Sequence, residues 1–404
     1  MRSLLKNVTL WSLTLGHFCT DMLAGAMPIV IGLYLKEALN LSLAQVGLLL
    51  SVYAMTSSLT QPIFGYLSDR YGGRWFAVIG ILWLAILQGS VGFMPNFSSA
   101  LTVAGLAGFG SAAFHPQGAS GANIAAGTQK NAGVAMFMLG GNIGFAVGPA
   151  LAALALSALG VHGTWVLGLV TLLIVPMLYF LTGKAQAAGT KKAANWRIEL
   201  NPLFSVTAIV ALVLVMSLRA WSQQSFSGFL PQYFVDLAYF SKEQASLLSS
   251  VMLAGLALGT LTGGMVADRI GGKWVMIVSM LISAPLMAAI FWLGDWRSYL
   301  VAPFLGFVSG AAWPPMLVLA QSLFPKNAGV GSGVALGFVF AVGGLGLQLT
   351  GWLAEPTRLG LFTALISLCV VPLLTAALVV FLPKMERRSA STPTVSPVAV
   401  PAKS

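Results

Sequence analysis

Asp21 stands near the centre of an apolar run and follows His17 by four positions. On a helix that spacing puts both side chains on one face, one turn apart, so imidazole and carboxylate can exchange hydrogen bonds. In a low-dielectric cavity such a carboxylate can serve as a reversible proton site, which a proton-driven machine requires. The structural alternative is a hydrogen-bonded pair that bridges helices. Arg219 is the one Lys or Arg deep inside an apolar run. A guanidinium stays charged, and buried alone it would be costly, so it needs an anionic partner. That partner is Asp21 or an anionic substrate, and the two can compete in one mechanism. His115 lies in another run, directly before Pro116, which removes a backbone donor and is expected to bend its helix. Pro314-Pro315 repeats that device later in the chain. A core histidine bonded to Ser111 is the structural alternative for His115. Phe18, Gln117, Asn142, Trp221, Gln224 and Trp313 are candidate walls of a substrate cavity, and packing is the other reading of each.

Other chemistries lack their residues. There is no Gly-x-x-x-x-Gly-Lys-Ser/Thr phosphate loop, so ATP is not expected to drive this protein. No metal-ligand cluster and no nucleophile–histidine–acid constellation can be drawn from 10 acidic residues placed as these are. The expectation is a non-enzyme with no cofactor and no metal, run by the proton gradient.

The elements that must hold these groups follow from composition. Of 404 residues, 57% are hydrophobic and only 8% charged, with a mean hydropathy of +0.88. A soluble domain carries about 25% charge. Two cysteines, Cys19 and Cys369, both in apolar runs, exclude a disulfide scaffold. A membrane-spanning helix needs roughly 20 apolar residues. Such runs fall at 8–35, 44–67, 75–94, 98–120, 132–158, 163–182, 203–235, 245–266, 274–294, 298–322, 329–354 and 360–382. The first run, with Arg2 and Lys6 ahead of it and Ala24-Gly25-Ala26 within it, imitates a cleavable leader. It continues to Leu35, however, and is expected to remain as a span.

Charge placement sets the orientation. With both termini in the cytoplasm, the outer loops hold only Lys36, Lys242, Arg297 and Arg358, and sixteen of the 21 Lys and Arg fall on the cytoplasmic side. The basic excess is therefore a topology signal, and no basic face remains for nucleic acid.

The two halves repeat each other. The stretch from Gly65 to Arg74, with Asp69 and Arg70 at its centre, returns from Gly264 to Lys273 with Asp268 and Arg269. Lys130-Asn131-Ala132-Gly133-Val134 returns at 326–330, Ala113-Phe114-His115-Pro116 at 312–315, and Gly25-x-x-Pro28 at 228–231. The expected fold is an all-α membrane protein of twelve transmembrane helices in two pseudo-symmetric six-helix bundles. The bundles are expected at 1–182 and 203–384, with a cytoplasmic linker at 183–202 and a disordered tail at 385–404. Such halves can rock about a central site.

The Gly-x-x-x-Asp-Arg-x-Gly-x-Arg/Lys turns resemble the signature of the major facilitator superfamily. That resemblance implies a gating latch at Asp69, Arg70, Arg74, Asp268, Arg269 and Lys273, which holds the cytoplasmic side closed and breaks to open it. Topology anchoring is the simpler role. His17-Phe18-Cys19-Thr20-Asp21, Phe114-His115-Pro116, the glycines of 140–148 with Pro149, and Leu218-Arg219-x-Trp221 resemble the fosmidomycin-resistance-like exporters over nearly the whole chain. Gln117 stands where those exporters have an acid. Gly144, Gly148 and Pro149 resemble, incompletely, the superfamily's antiporter motif, and their small size allows close helix packing.

The expected function is proton-coupled exchange of a small molecule by alternating access, by a monomer in the bacterial inner membrane; Arg219 suits an anionic substrate, and the family resemblance implies export of a toxic compound of the fosmidomycin kind. Its partners would be substrate, protons and the lipid bilayer. A proton-coupled importer of an organic acid or sugar is the alternative on the same scaffold. A non-transporting receptor or sensor is the alternative of another class.

Overall fold

The computed structural model describes residue 4 and residues 6–71, 73–182, 200–202, 204–324 and 328–383, with only the backbone at Asp69, Asn131 and 328–336. The expected tail, and all of the expected linker but 200–202, lie outside them. The described chain is helical throughout. Twelve passes follow in order: α1 (Val8–Ile29, continued to Leu39), α2 (Leu43–Leu59 and Gln61–Tyr71), α3 (Gly73–Ser90), α4 (Phe97–Ala125), α5 (Lys130–Leu159), α6 (Thr164–Leu172 and Ile174–Leu181), α7 (Val206–Asp236), α8 (Lys242–Ile270), α9 (Gly272–Leu293), α10 (Ser298–Ala311 and Trp313–Ser322), α11 (Ala328–Leu353) and α12 (Gly360–Ser367 and Val371–Val379). Ten stretches are long and apolar enough to cross a membrane, and one of them, Ala132–Leu181, holds two passes that turn at Gly160–Gly163. A shorter apolar stretch, Gly337–Leu353, belongs to α11.

Local sequence explains where these helices begin and bend. Ser42 caps α2 by accepting from the Gln45 N–H, and the Gln45 side chain accepts from the Ser42 N–H in return. Ser241 and Gln244 do the same for α8. Asn40 and Tyr239, just before those caps, both sit at positive φ, 50° and 59°. The repeat is thus written into turn geometry as well as into motifs. α1 loosens into a π-helix over Val30–Leu35, just past Pro28. α10 breaks at Ala312, ahead of Pro314 and Pro315. α4 runs through Pro116 without interruption of the helix. Its neighbours supply the packing that keeps it helical where one backbone bond is missing.

Packing repeats as well. α1 lies on α5, α3 on α4 and α6, and α2 on α4; α7 lies on α11, α9 on α10 and α12, and α8 on α10. The two halves meet where α2 packs on α11 and α5 on α8. At the end that carries Tyr34, Leu41 and Phe234, one apolar core runs through both halves. At the end that carries the 69–74 and 268–273 turns, each half keeps its own core, around Phe114 and Phe137 in one and around Val215 and Leu319 in the other. The molecule therefore has a tight end and a split end. Polar contacts cross between halves at the tight end: Lys36 Nζ to Asp236 Oδ2 at 3.0 Å, Lys242 to Glu37, and the Ala44 N–H to Glu355 Oε1 at 2.7 Å. Large apolar side chains such as Phe180, Trp292 and Phe304 stand exposed around the outside, a surface suited to lipid rather than water.

Candidate functional site

α1 brings His17 Nε2 to 3.2 Å from Asp21 Oδ2, the contact that four-residue spacing permits. The fold adds His115 from α4, whose Nε2 lies 3.1 Å from Asp21 Oδ1. Asp21 thus sits between two imidazoles from helices 94 positions apart in sequence. Each ring is fixed by its other nitrogen. His17 Nδ1 is 2.8 Å from the Phe137 carbonyl and stacks on the Phe137 ring at 4.1 Å. His115 Nδ1 is 2.8 Å from the Ser111 carbonyl, the contact named in advance as its structural alternative. A carbonyl can only accept, so each Nδ1 carries the hydrogen, a tautomer inferred from its partner. Both Nε2 atoms then face the carboxylate with a lone pair unless a further proton is bound. An ionised carboxylate is also acceptor-only, so these contacts become hydrogen bonds only when the cluster holds added protons.

The walls of this cluster come from elsewhere. Gly141 of α5 lies so close that a Cβ there would overlap His17 and Asp21. Tyr53 of α2 lies within electrostatic range of the same carboxylate. The ligand atoms of His17, Asp21 and His115 lie within 4.8 Å of one another, a donor set that a divalent ion would also accept. That corrects the expectation of no such cluster: donors from α1 and α4 do not look like a group in the linear chain.

Arg219 is not paired with Asp21, which corrects the first of its two expected partners. The carboxylate is taken by the histidines of its own half. Arg219 Nη2 donates to the Ser309 carbonyl at 3.0 Å, and the guanidinium lies over the Trp313 ring at 5.2 Å. Its Nε is buried with no partner, and no acid among the described residues forms an ion pair with it. Ser222, Gln223, Ser283, Ser309 and Thr375 line a cavity beside it, with Met252, Met280 and Met287 across. The cavity is small, ≈ 20 Å³, so it offers polar wall and room for about one water.

Other candidates separate by location. Trp221 Nε1 donates to Thr350 Oγ1 at 2.9 Å, and that hydroxyl donates on to Ser225, tying α7 to α11. Gln224 presses on Gly343 of α11. Asn142 is half-buried and makes no hydrogen bond among the described residues. Phe18 packs among apolar neighbours. Gln117 lies away from the polar cluster, which corrects its placement as a cavity wall: it is buried, and its Nε2 donates to Ser68. Two residues along a helix turn a side chain through about 200°, so His115 and Gln117 must point apart. Gly144 and Gly148 set α5 against the backbone of α1 at Phe18 and Met22, and Pro149 lies buried in α5.

At the split end Arg74 donates to the Tyr179 carbonyl and lies 4.4 Å over the Tyr179 ring. Lys273 Nζ donates to the Val380 and Leu382 carbonyls at 2.6 and 2.8 Å. Each basic residue thus holds the C-terminal carbonyls of the last helix of its own half, where a cation is favoured. Arg70, Asp268 and Arg269 are exposed and form no ion pair among the described residues, and the Asp69 side chain lies outside them.

Comparison with known proteins agrees with this architecture. The family model described as Major Facilitator Superfamily matches residues 13–240 and 212–403. The fosmidomycin resistance protein of Escherichia coli (strain K12) is 30% identical over 385 residues, which cover 93% of this chain and 92% of that protein. The MFS-type transporter YfnC of Bacillus subtilis (strain 168) is 30% identical over 370 residues, 89% of this chain and 88% of its own length. A bacterial homologue of the human lysosomal transporter Spinster, solved inward-facing and occupied, superposes with a TM-score of 0.78 at 15% identity, over 92% of this chain and 95% of that one. Repeated helical halves, a shared core at one end only, and these matches along the chain have one reading: it belongs to the major facilitator superfamily, as a multi-pass membrane transporter and not an enzyme.

Proposed function

We propose that this protein is a proton-coupled antiporter that exports a small anionic toxic compound of the fosmidomycin kind. The observation that carries the reading is Asp21 held between two Nε2 atoms whose rings are locked by their Nδ1 partners. The titratable groups against Asp21 are His17 on α1 and His115 on α4, with Tyr53 of α2 in electrostatic range, and Gly141 of α5 lies against the cluster. Protons entering this cluster replace lone-pair repulsion with hydrogen bonds, so its shape depends on its load.

Arg219 supplies the other half of the exchange. A buried guanidinium without a carboxylate favours an anion brought from outside, and hydroxyls beside it can accept from or donate to that anion's oxygens. The name of the Escherichia coli relative, a fosmidomycin resistance protein, supports a compound of that class and export as the direction. The count of basic residues supports a split end that faces the cytoplasm of a bacterium, with both termini inside. The repeat supports bundles at 1–182 and 203–384 that rock as units in a monomer.

Everted inner-membrane vesicles test this. An acid interior should drive fosmidomycin uptake, and Asp21→Asn should abolish it while the protein stays in the membrane. Full activity of Asp21→Asn across pH would sink the proton site. Uptake confined to right-side-out vesicles would mark an importer.

A further inference from the structure

We propose that Gln117 is a positioning residue that ties the Asp21–His115 cluster to the 69–74 turn. This rests on the proton reading above and extends it to the gate. Gln117 follows His115 by two positions on α4, with Pro116 between them. Its buried amide donates to Ser68 Oγ, directly before Asp69, and Ser68 in turn donates to the Gly65 carbonyl at 2.7 Å. The amide oxygen lies so close to Gly73 that a Cβ there would overlap it, so the side chain sits between Ser68, just ahead of the turn, and Gly73 within it. One side of α4 thus grips the proton cluster while the other grips the gate segment. Pro116 leaves the helix one hydrogen bond short between those two grips, where a small rotation is cheapest.

The second half supplies an internal control. In the repeat, Gln117 corresponds to Met316, which is buried in an apolar cluster, and the positions of His115 and Asp21 correspond to Pro314 and Gln224. The half that has the ionisable cluster is the half that has the polar tether. A tether needed only for packing would have no reason to follow the charge.

The test uses spin labels at Tyr71→Cys and Ile270→Cys, both exposed at the split end, in a Cys19→Ala, Cys369→Ala background. The distance between them is read at acid and alkaline pH in lipid nanodiscs. The parent should shift with pH. Gln117→Met, the residue of the other half, should lose that shift, and so should Ser68→Ala. Ser68→Thr, which keeps the hydroxyl that accepts from the Gln117 amide, should keep it. Proton-driven fosmidomycin uptake should fall roughly fivefold or more in Gln117→Met. A full shift in Gln117→Met or Ser68→Ala would overturn the tether and leave the proton site standing. A parent without any shift, or an Asp21→Asn variant that shifts like the parent, would remove the proton reading and the tether together.

Discussion

Arg219 and Asp21 show why residue type alone does not choose a partner. Both are ionisable groups in apolar helices, and opposite charge suggests a bridge between them. The structure instead sets two imidazoles against Asp21 and leaves the guanidinium with a carbonyl and an indole face. The reason is reach: His17 lies on α1 beside Asp21 and His115 on α4, which touches α1, whereas the halves part toward the split end. Arg219→Lys should therefore weaken anionic substrates more than neutral ones, because Lys keeps the charge and loses the forked donor set. Loss of one charge-assisted bond costs about 1.5–3 kcal/mol, roughly tenfold or more in apparent affinity. Competition assays with paired anionic and neutral compounds measure it, and an equal loss for both would make Arg219 structural.

Helix contacts decide how these groups are held. α5 approaches α1 backbone to backbone through Gly140, Gly144 and Gly148, and Gly141 on the same helix faces the proton cluster. Small residues at four-residue spacing make this approach possible. Gly141→Ala should fold, since a methyl overlap costs about 1–3 kcal/mol, but it should displace His17 or Asp21 and flatten the pH dependence of transport. Comparing the thermal midpoint with the pH–rate profile checks this, and an unchanged profile would count against the cluster's tight fit. The span pattern and the glycine motif were legible in the chain, because apolar length and small-residue spacing are local properties. The meeting of His115 with Asp21 was not, since it depends on which faces of α1 and α4 touch.

At the scale of the molecule, the halves are joined at one end and apart at the other. Lys36–Asp236 and Lys242–Glu37 cross the joined end, and both lie partly in solvent. Pairs of this kind are worth about 0.2–1 kcal/mol each, enough to bias the two states by up to roughly fivefold. Lys36→Glu should therefore populate the state open at that end, and adding Asp236→Lys should restore the parent balance. Accessibility of a single cysteine at Leu41, buried at that end, in a Cys19→Ala, Cys369→Ala background, to a membrane-impermeant reagent measures it. A double variant that behaves like the single one would mean the pair carries no coupling.

By itself the sequence determined the class of molecule, the number of passes, the repeat and the few residues able to carry charge inside a bilayer. Those follow from the cost of placing polar groups in lipid, which is paid residue by residue along the chain. Only the tertiary structure decided which of them meet. It joined His115 to Asp21, set Gln117 against the 69–74 turn, turned Arg74 and Lys273 onto helix ends within their own halves, and left Arg219 without a carboxylate. Each of these depends on which helix faces touch, and contact between residues distant in the chain leaves no periodic mark in it.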